Sequence, residues 1–338
     1  MILVDALFVN KGGGAVLLGY LINSIMARPE KDQFYFLLDP RFERPPSLTG
    51  NYTVIPNSIK ERIGFYKARK QEFSGVFCFA NTPPPIKMKG KAYTYLHNQK
   101  LLEAPALKFK NKHFFLQYIK YLYLRRYNRN TDYYIVQTQH MVDGVVDLKL
   151  KDKQHCLTIP FYDDQKYKQG QMPFADRVKD EFVFISNPTP QKNYPTLFDA
   201  WEYLLEQGHT PLLHVTVDET APHFLTRIEE LNKRGARIKN HAYLDPRELY
   251  YTCPYLIFPA IMESFGLPLI EAVDSGMKVL ASDLPFVYDV IRPSIAFKPM
   301  DKQSIAGAVL QALGSELPFP QVVTHNRVEE LIDLLVVG

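Results

Sequence analysis

The chain contains little cysteine. Its three cysteines, Cys78, Cys156 and Cys253, are far apart in the 338-residue sequence, and their spacing matches no metal-binding motif. An odd number of scattered cysteines argues against a disulfide framework and against a zinc finger. We therefore expect a reduced, cytoplasmic protein.

The chain also lacks a long apolar run. No stretch approaches the roughly 20 residues that a membrane-spanning helix needs. Residues 1–7 have no basic start and include Asp5, so we expect a buried strand there rather than a secretory signal. Hydrophobic residues make up 46% of the chain and charged residues 22%, which indicates folded domains with ordinary cores. The length suits two domains of roughly 150 residues each.

Short apolar runs alternate along the chain with segments of helical period, which predicts parallel α/β architecture. Most of the runs are apolar throughout, as expected when helices cover both faces of a sheet. The predicted strands cover residues 2–9, 34–38, 52–56, 75–80, 92–96, 133–138, 155–160, 182–186, 211–217, 237–243, 255–259, 278–282 and 295–298. The predicted helices cover residues 15–27, 113–128, 195–207, 222–234, 246–251, 268–275 and 302–313.

These elements divide into two α/β domains in series. We predict an N-terminal domain over residues 1–161 and a polar linker over 162–181. A C-terminal domain follows over 182–318, and a final helical segment covers 319–338. The final segment carries an apolar helix face, which we expect to dock on the N-terminal domain.

The most informative segment follows the predicted strand 255–259. Gly266 permits unusual backbone geometry, Pro268 suits a first helical turn, and Gly276 suits a C-terminal cap. A helix is therefore expected to begin just after Gly266, with its free N–H groups available to an anionic phosphate. Glu263 and Glu271 flank this point, and carboxylates are good acceptors for sugar hydroxyls.

This segment closely resembles the signature of retaining GT-B glycosyltransferases of family 4. The resemblance implies two Rossmann-like domains with parallel sheets that face each other across a cleft. It also implies transfer of a sugar from a nucleotide diphosphate sugar to an acceptor hydroxyl. Glu263 would lie beside the transferred sugar and Glu271 at the nucleotide ribose. Backbone N–H groups would hold the diphosphate or sugar around Ser264, Phe265, Gly266 and Leu267. The alternative is an ordinary helix start with surface glutamates.

A second segment, after the strand 182–186, supports the resemblance. The family commonly has an Arg and, five residues on, a Lys that neutralise the donor diphosphate. Lys192 matches the Lys, but Asn187 stands at the Arg position. A charge-assisted contact to phosphate is worth about 1.5–3 kcal/mol, so Asn187 removes a comparable contribution unless another cation supplies it. Lys192 could otherwise be a solvated loop lysine.

The glycine-rich turn 10–14 follows the first predicted strand and matches neither a dinucleotide fingerprint nor a Walker loop. The resemblance implies that Gly13 and Gly14 close over the donor phosphates, although a merely flexible loop is the alternative. His97 ends a predicted strand; the resemblance implies contact with the donor sugar, and a structural role is the alternative. Tyr243 lies where the family cradles the nucleotide base, largely through backbone groups.

The segment 108–129 contains seven Lys/Arg and seven Phe/Tyr residues and no acidic residue. Its charge exceeds the net charge of +4 of the whole chain, so the remainder is negative. The aromatic residues could belong to the core beneath a solvated face, or the segment could lie on an anionic membrane that holds a lipid-linked acceptor. Nucleic acid is disfavoured because no recognised nucleic-acid motif accompanies it. The basic residues assigned to the acceptor or membrane side are Lys108, Lys110, Lys112, Arg125 and Arg126.

Metal-binding motifs are missing as well. The chain has no Asp-x-Asp, which marks metal-dependent GT-A glycosyltransferases, and no His-Glu-x-x-His. We therefore expect no catalytic metal and no cofactor besides the nucleotide sugar. The expected role is synthesis of a cell-surface polysaccharide such as lipopolysaccharide, O-antigen or capsule, in the cytoplasm or on the inner face of the cell membrane. Asn187 motivates one alternative, a non-catalytic nucleotide-sugar-binding subunit. A nucleotide-sugar epimerase is a more distant one.

Overall fold

A computed structural model describes residues 1–103 and 112–337. Contacts within the chain divide it into two compact units. The first comprises Met1–Asp163 and His325–Gly338, and the second comprises Asp164–Thr324.

The first unit is built on a parallel sheet with the strand order β3-β2-β1-β4-β5-β6-β7. Its strands are β1 Ile2–Ala6, β2 Phe34–Leu38, β3 Asn51–Val54, β4 Gly75–Cys78, β5 Ala92–Tyr95, β6 Tyr133–Val136 and β7 Cys156–Thr158. Its helices are α1 Gly13–Met26, α2 Ile59–Arg69, α3 Lys112–Tyr127, α4 Gln139–Asp147 and the C-terminal α11 Val328–Val337. Strands β1, β2, β4 and β5 are buried along their whole length, as their mostly apolar sequences predicted.

The second unit has its own parallel sheet, with the strand order β10-β9-β8-β11-β12-β14. Its strands are β8 Glu181–Phe184, β9 Leu212–Val215, β10 Arg237–Asn240, β11 Tyr255–Phe258, β12 Lys278–Ser282 and β14 Ile295–Phe297, and a small antiparallel pair is formed by β13 Ile291–Arg292 and β15 Gln321–Val322. Its helices are α5 Tyr194–Glu206, α6 Pro222–Lys233, α7 Arg247–Tyr250, α8 Leu267–Asp274, α9 Pro285–Tyr288 and α10 Lys302–Gly314.

Helix α2 was not predicted, because charged residues interrupt its apolar positions. Ser58 caps it by accepting a hydrogen bond from the Glu61 backbone N–H. The helix places Arg62 in the core, where the guanidinium pairs with the buried Asp5 carboxylate at 2.7 Å. Arg62 also donates hydrogen bonds to the Thr82 and Pro83 carbonyls. Through these bonds, the arginine that is held by Asp5 fixes the loop that follows β4.

The two segments predicted as a linker and as a final helix both have defined packing. Residues 164–181 lie within the second unit, where the side chains of Tyr167 and Arg177 are buried. Arg177 donates to the carbonyls of Met172, Cys253 and Ser275. Helix α11 contacts α1 in the first unit.

Candidate functional site

The predicted donor residues of the second unit follow the carboxyl ends of two adjacent strands. Strands β8 and β11 pair in parallel, with Tyr255 opposite Phe182. The loop 187–193 follows β8, and the loop 259–266 follows β11. Because carboxyl ends of parallel strands meet at one edge of a sheet, this is where open α/β sheets bind ligands.

The structure brings Lys192 and Glu263 together. Their side chains form an ion pair at this edge, and each retains only about one sixth of its side-chain exposure (16% and 17%). The Lys192 ammonium also lies 5.6 Å from the centre of the Phe258 ring. The residue predicted to hold phosphate and the one predicted to lie beside the sugar therefore neutralise each other in this structure.

Asn193, which the sequence analysis did not single out, holds the two loops together. It adopts a left-handed conformation (φ 58°, ψ 36°) and begins helix α5. Its amide nitrogen donates to the carbonyls of Pro259, at 3.2 Å, and Pro299, at 2.6 Å. The Ile261 N–H donates to the Gln191 carbonyl at 2.9 Å. An Asn directly before a helix was the available signal, since Asn tolerates this conformation better than most residues.

Helix α8 begins where the sequence predicted. Gly266 is its N-cap, with φ 86° and no side chain to accept a hydrogen bond from the first turn. Gly276 ends the helix with φ 70°, and its N–H donates to the Val273 carbonyl. Ser264 and Leu267 are half-buried and Phe265 is buried. The first N–H groups of α8 therefore form the kind of site that binds anions.

The side chain of Glu271, in helix α8, is half-buried, and desolvation raises the pKa of its carboxyl to about 7. Two residues of the predicted linker act on it. The buried Tyr167 phenol interacts with the carboxylate, and the exposed Lys166 lowers its pKa. Sequence reasoning missed both residues because they precede Glu271 by about a hundred positions. Lys166 is a second cation near this edge.

The two other predicted donor residues of this unit, Asn187 and Tyr243, make fewer contacts with the rest of the protein than Lys192, Glu263 and Glu271 do. Asn187 is exposed, and its carbonyl accepts from the Thr189 N–H at 2.8 Å. The Tyr243 side chain is 95% exposed and follows Ala242, which has a positive φ of 53°. Both side chains are open to solvent.

In the first unit, His97 lies beside the glycine-rich turn. A Cβ added to Gly14 would be 3.4 Å from the His97 Nε2 atom, and Gly13 is the first residue of α1. Asn81, which sequence reasoning missed, accepts from the His97 backbone N–H at 2.7 Å, and its amide nitrogen lies 3.0 Å from Nε2. Burial lowers the pKa of His97 to about 4, so the ring is neutral near pH 7.

The basic-aromatic segment is described only in part. Lys108 and Lys110 lie outside the described residues, and Lys112 begins α3 with a side chain that is also outside them. Arg125 and Arg126 are exposed. Between them and the start of α3, three apolar side chains that share one helix face are 53%, 44% and 47% exposed: Phe115, Ile119 and Leu122. No helix in the described part of the chain is long and apolar enough to span a bilayer.

Comparison with known proteins bears on the second unit. Residues 172–327 match the protein family described as glycosyl transferases group 1. The chain is 29% identical over 155 residues to the serotype-specific mannosyltransferase WbdA of Escherichia coli. This match covers 43% of the chain but 19% of the relative, so the chain spans about a fifth of the length of that protein.

Solved structures of similar fold cover both units. The lipopolysaccharide glycosyltransferase WaaG superposes with a TM-score of 0.68 at 15% identity, over 93% of this chain and 91% of its own. Anabaena HepE, in complex with UDP and glucose, gives a TM-score of 0.66 at 15% identity, over 93% and 90%. The predicted fold class is confirmed: the chain has two Rossmann-like parallel-sheet domains of the GT-B type.

Proposed function

We propose that the chain is a retaining glycosyltransferase of family 4 that moves a sugar from a nucleotide diphosphate sugar to an acceptor hydroxyl. One observation carries the proposal. Three features lie together in the segment that matches glycosyl transferases group 1. The Lys192–Glu263 pair joins the loops after β8 and β11, helix α8 starts without a side-chain cap, and Glu271 lies within that helix. The reaction needs an anion site, a cation and hydroxyl acceptors, and all three are present in this unit.

In the proposed reaction, negative charge develops on the diphosphate leaving group and positive charge on the sugar. The diphosphate leaving group becomes more negative as its bond to the sugar breaks, and Lys192 with the α8 N–H groups would stabilise it. Glu263 would then leave its ion pair and orient the oxocarbenium-like sugar. His97 keeps the role that the resemblance implies, contact with the donor sugar. Retention would follow a front-face path, because no residue is assigned as a covalent nucleophile. No catalytic metal is assigned.

Glu271 would accept hydrogen bonds from the ribose hydroxyls. Binding would favour the ionised carboxylate over the protonated form, because the carboxylate only accepts hydrogen bonds. Lys166 is positioned near this carboxylate and offers a cation that Asn187 does not. Tyr243 would contact the base, and the backbone of residues 264–267 the phosphates or sugar.

The donor site can be tested by a thermal-shift screen with UDP, GDP, ADP and CMP. A nucleotide at about 100 times its Kd adds about 2.7 kcal/mol of stability. We expect one diphosphate to raise the Tm of the wild type and to lose this effect in Lys192→Ala and Glu271→Ala. Lys233→Ala, at an exposed site on α6, is the matched control and should keep it. Equal stabilisation of all four proteins would place the nucleotide elsewhere, and no stabilisation at all would contradict the donor site.

Asn187 and the Lys192–Glu263 pair favour a second candidate, a nucleotide-sugar-binding subunit without catalytic activity. The two differ in turnover. An enzyme would transfer sugar, or hydrolyse the donor slowly when no acceptor is present. Binding of the donor with neither reaction, across a panel of saccharide and lipid-linked acceptors, would favour the second candidate.

We further propose that the acceptor is a saccharide carried on a lipid or a cell-surface polysaccharide intermediate, reached from the inner face of the membrane. Similarity to WaaG, which is involved in lipopolysaccharide biosynthesis, supports this class. The exposed face of α3 supports the location, because apolar side chains and arginines together bind anionic lipid surfaces.

Membrane binding can be measured by sedimentation with anionic and zwitterionic vesicles at low salt. We expect the wild type to sediment with anionic vesicles only, and Ile119→Asp/Leu122→Asp to remain in solution. Val16→Asp/Val54→Asp, at exposed apolar positions outside α3, is the matched control. Absence of wild-type binding to anionic vesicles would contradict the proposed location.

A further inference from the structure

Three residues with metal-ligand chemistry meet in the second unit, away from the proposed donor site. Glu181 is the first residue of β8, His214 lies in β9, and Cys253 precedes β11. Strands β9, β8 and β11 are neighbours in the sheet, which brings the three residues close together although they are far apart in the sequence. Among the described residues, this is the one group of three or more His, Cys, Asp or Glu whose ligand atoms lie within 4.8 Å of one another.

The two distances from Glu181 to the other ligand atoms are close to those around a tetrahedral ion. His214 Nε2 lies 3.6 Å from Glu181 Oε2, and Cys253 Sγ lies 3.7 Å from the same oxygen. Zinc bonds of about 2.0–2.3 Å at tetrahedral angles separate neighbouring ligands by about 3.3–3.6 Å. These two distances are slightly larger, and a small inward movement of the Glu181 side chain, which is 20% exposed, would shorten both.

A second observation points to a ligand. His214 is only 4% exposed, and its Nε2 atom is buried without a hydrogen-bond partner. The other ring nitrogen, Nδ1, lies 2.9 Å from His241 Nε2. Buried nitrogens are rarely left unsatisfied. Metal-binding histidines usually hydrogen-bond through the nitrogen that does not bind the metal, which is the arrangement seen here.

The charges at the site would balance a divalent cation. A Cys253 thiolate and the Glu181 carboxylate together supply two negative charges. In this structure Cys253 is a thiol that donates towards Glu181 Oε2 at 3.7 Å. Binding would form the metal–sulfur bond and release that proton to solvent.

We propose that Glu181, His214 and Cys253 bind one divalent ion of the zinc class, with water as the fourth ligand. Sulfur, imidazole and carboxylate ligands in a tetrahedral arrangement are typical of zinc. Glu181 begins β8, whereas Lys192 follows the carboxyl end of that strand, so the ion would lie at the other end of the strand from the proposed donor site. It would join three neighbouring strands of the sheet, and the proposal is independent of the proposed transferase activity.

The test uses Co²⁺ as a spectroscopic substitute for Zn²⁺, added to full-length protein that has been treated with a chelator and carries no histidine tag. We expect one equivalent to bind, with the strong visible bands of tetrahedral Co²⁺ and a sulfur-to-cobalt charge-transfer band. Cys253→Ser should remove the charge-transfer band. Cys78→Ser and Cys156→Ser, the matched controls, should keep it. Zn²⁺ should displace the cobalt and raise the Tm of the wild type.

Two variants keep the test decisive if Cys253→Ser does not fold. Glu181→Gln, at a partly exposed position, should weaken Co²⁺ binding by about tenfold or more. His209→Asn, at an exposed histidine in the same unit, should not change it. The proposal is overturned if the wild type binds no equivalent of Co²⁺ or Zn²⁺. It is also overturned if the charge-transfer band survives in Cys253→Ser, or if Glu181→Gln binds as tightly as the wild type.

Discussion

The predicted site residues of the two units differ in their charge and in the partners that hold them. In the first unit, His97 is neutral, half-buried and fixed by Asn81 beside the start of α1. In the second unit, Lys192 and Glu263 are charged and paired with each other at the edge where α8 starts. In the proposed reaction, the neutral arrangement would receive the donor sugar without rearranging, whereas the charged pair would exchange partners first. We therefore expect substitutions in the second unit to have the larger effects on activity.

The largest expected effect comes from the Lys192–Glu263 pair. Lys192→Met and Glu263→Gln should each lower kcat/KM for sugar transfer by about 100- to 1000-fold, because each removes a group that acts on developing charge. The double variant should lose much less than the product of the two losses, since the residues act as a unit. Steady-state transfer rates measure this, with Lys233→Met as the control. Full multiplication of the losses would show that the two groups act independently.

A smaller effect is expected from the pH dependence of Glu271. Its pKa of about 7 means that the carboxyl is partly protonated near neutral pH. Ribose hydroxyls donate to the ionised form, so nucleotide affinity of the wild type should rise from about pH 6 to about pH 8 relative to Glu271→Gln. Isothermal titration with the nucleotide found by thermal shift measures this. Parallel pH profiles for the two proteins would exclude a direct contact with Glu271.

The same pKa predicts a change in stability without any ligand. Because the folded-state pKa is raised, the folded protein holds this proton more tightly than the unfolded chain does. The resulting stabilisation is complete below the unfolded pKa near 4.5 and is lost as the pH rises through about 7. The Tm of the wild type should therefore fall relative to that of Glu271→Gln between about pH 5 and about pH 8. A constant difference in Tm would contradict the raised pKa.

The two helix starts also differ in how much room surrounds their cap glycines. Gly12 and Gly266 both have positive φ, of 71° and 86°. A Cβ on Gly12 would meet no atom within 4 Å, whereas one on Gly266 would lie 3.1 Å from Leu269 Cδ1. Gly266, with ψ 54°, is left-handed, a conformation that costs alanine about 1–2 kcal/mol. Gly12, with ψ −163°, lies in a region that is essentially restricted to glycine and costs about 1–3 kcal/mol. Gly12→Ala and Gly266→Ala should therefore both lower the free energy of unfolding, the first through its backbone conformation alone and the second through its backbone conformation and the contact with Leu269.

Denaturant unfolding measures both variants. Gly19→Ala is the control, because Gly19 lies inside α1 with open space around it and should gain about 0.5–1 kcal/mol. Unchanged stability in either variant would show that the positive φ of that glycine carries no energetic cost.

The sequence predicted the elements whose signal is local. Most of the parallel-sheet strands were found because they are short apolar runs, and the start of α8 was found from Gly266 and Pro268. Helix α2 was missed because its buried face is made by Arg62, Phe65 and Tyr66 amid charged residues. A buried arginine gives no apolar periodicity, and its partner Asp5 lies in another element.

Contacts between residues that are far apart in the chain could not be predicted from the sequence. Glu263 and Lys192 were both singled out, but nothing in their spacing indicated that they pair. Tyr167 was assigned to a linker because its neighbours are polar, yet it is buried against Glu271. Residues of the candidate site that act through backbone geometry or through a neighbour, such as Asn193 and Asn81, follow from the folded chain alone.

The smallest expected effect tests how His97 is held. Since Asn81 Oδ1 accepts from the His97 backbone N–H, its amide nitrogen faces Nε2 and must donate to it. The ring proton of the neutral imidazole then lies on Nδ1. Asn81→Asp replaces the donor by an acceptor, so the proton should move to Nε2. Asn81→Gly removes the side chain but tolerates the positive φ of 60°.

We expect ¹⁵N chemical shifts of His97 to report the Nδ1–H tautomer in the wild type and the Nε2–H tautomer in Asn81→Asp. Transfer activity should fall by about tenfold or less in either variant, because the ring stays in place among Phe79 and Tyr95. An Nε2–H tautomer in the wild type would show that the Asn81 side chain is turned the other way. The neutral site would then depend on its aromatic neighbours rather than on the Asn81 hydrogen bonds, and its contrast with the charged pair would be sharper.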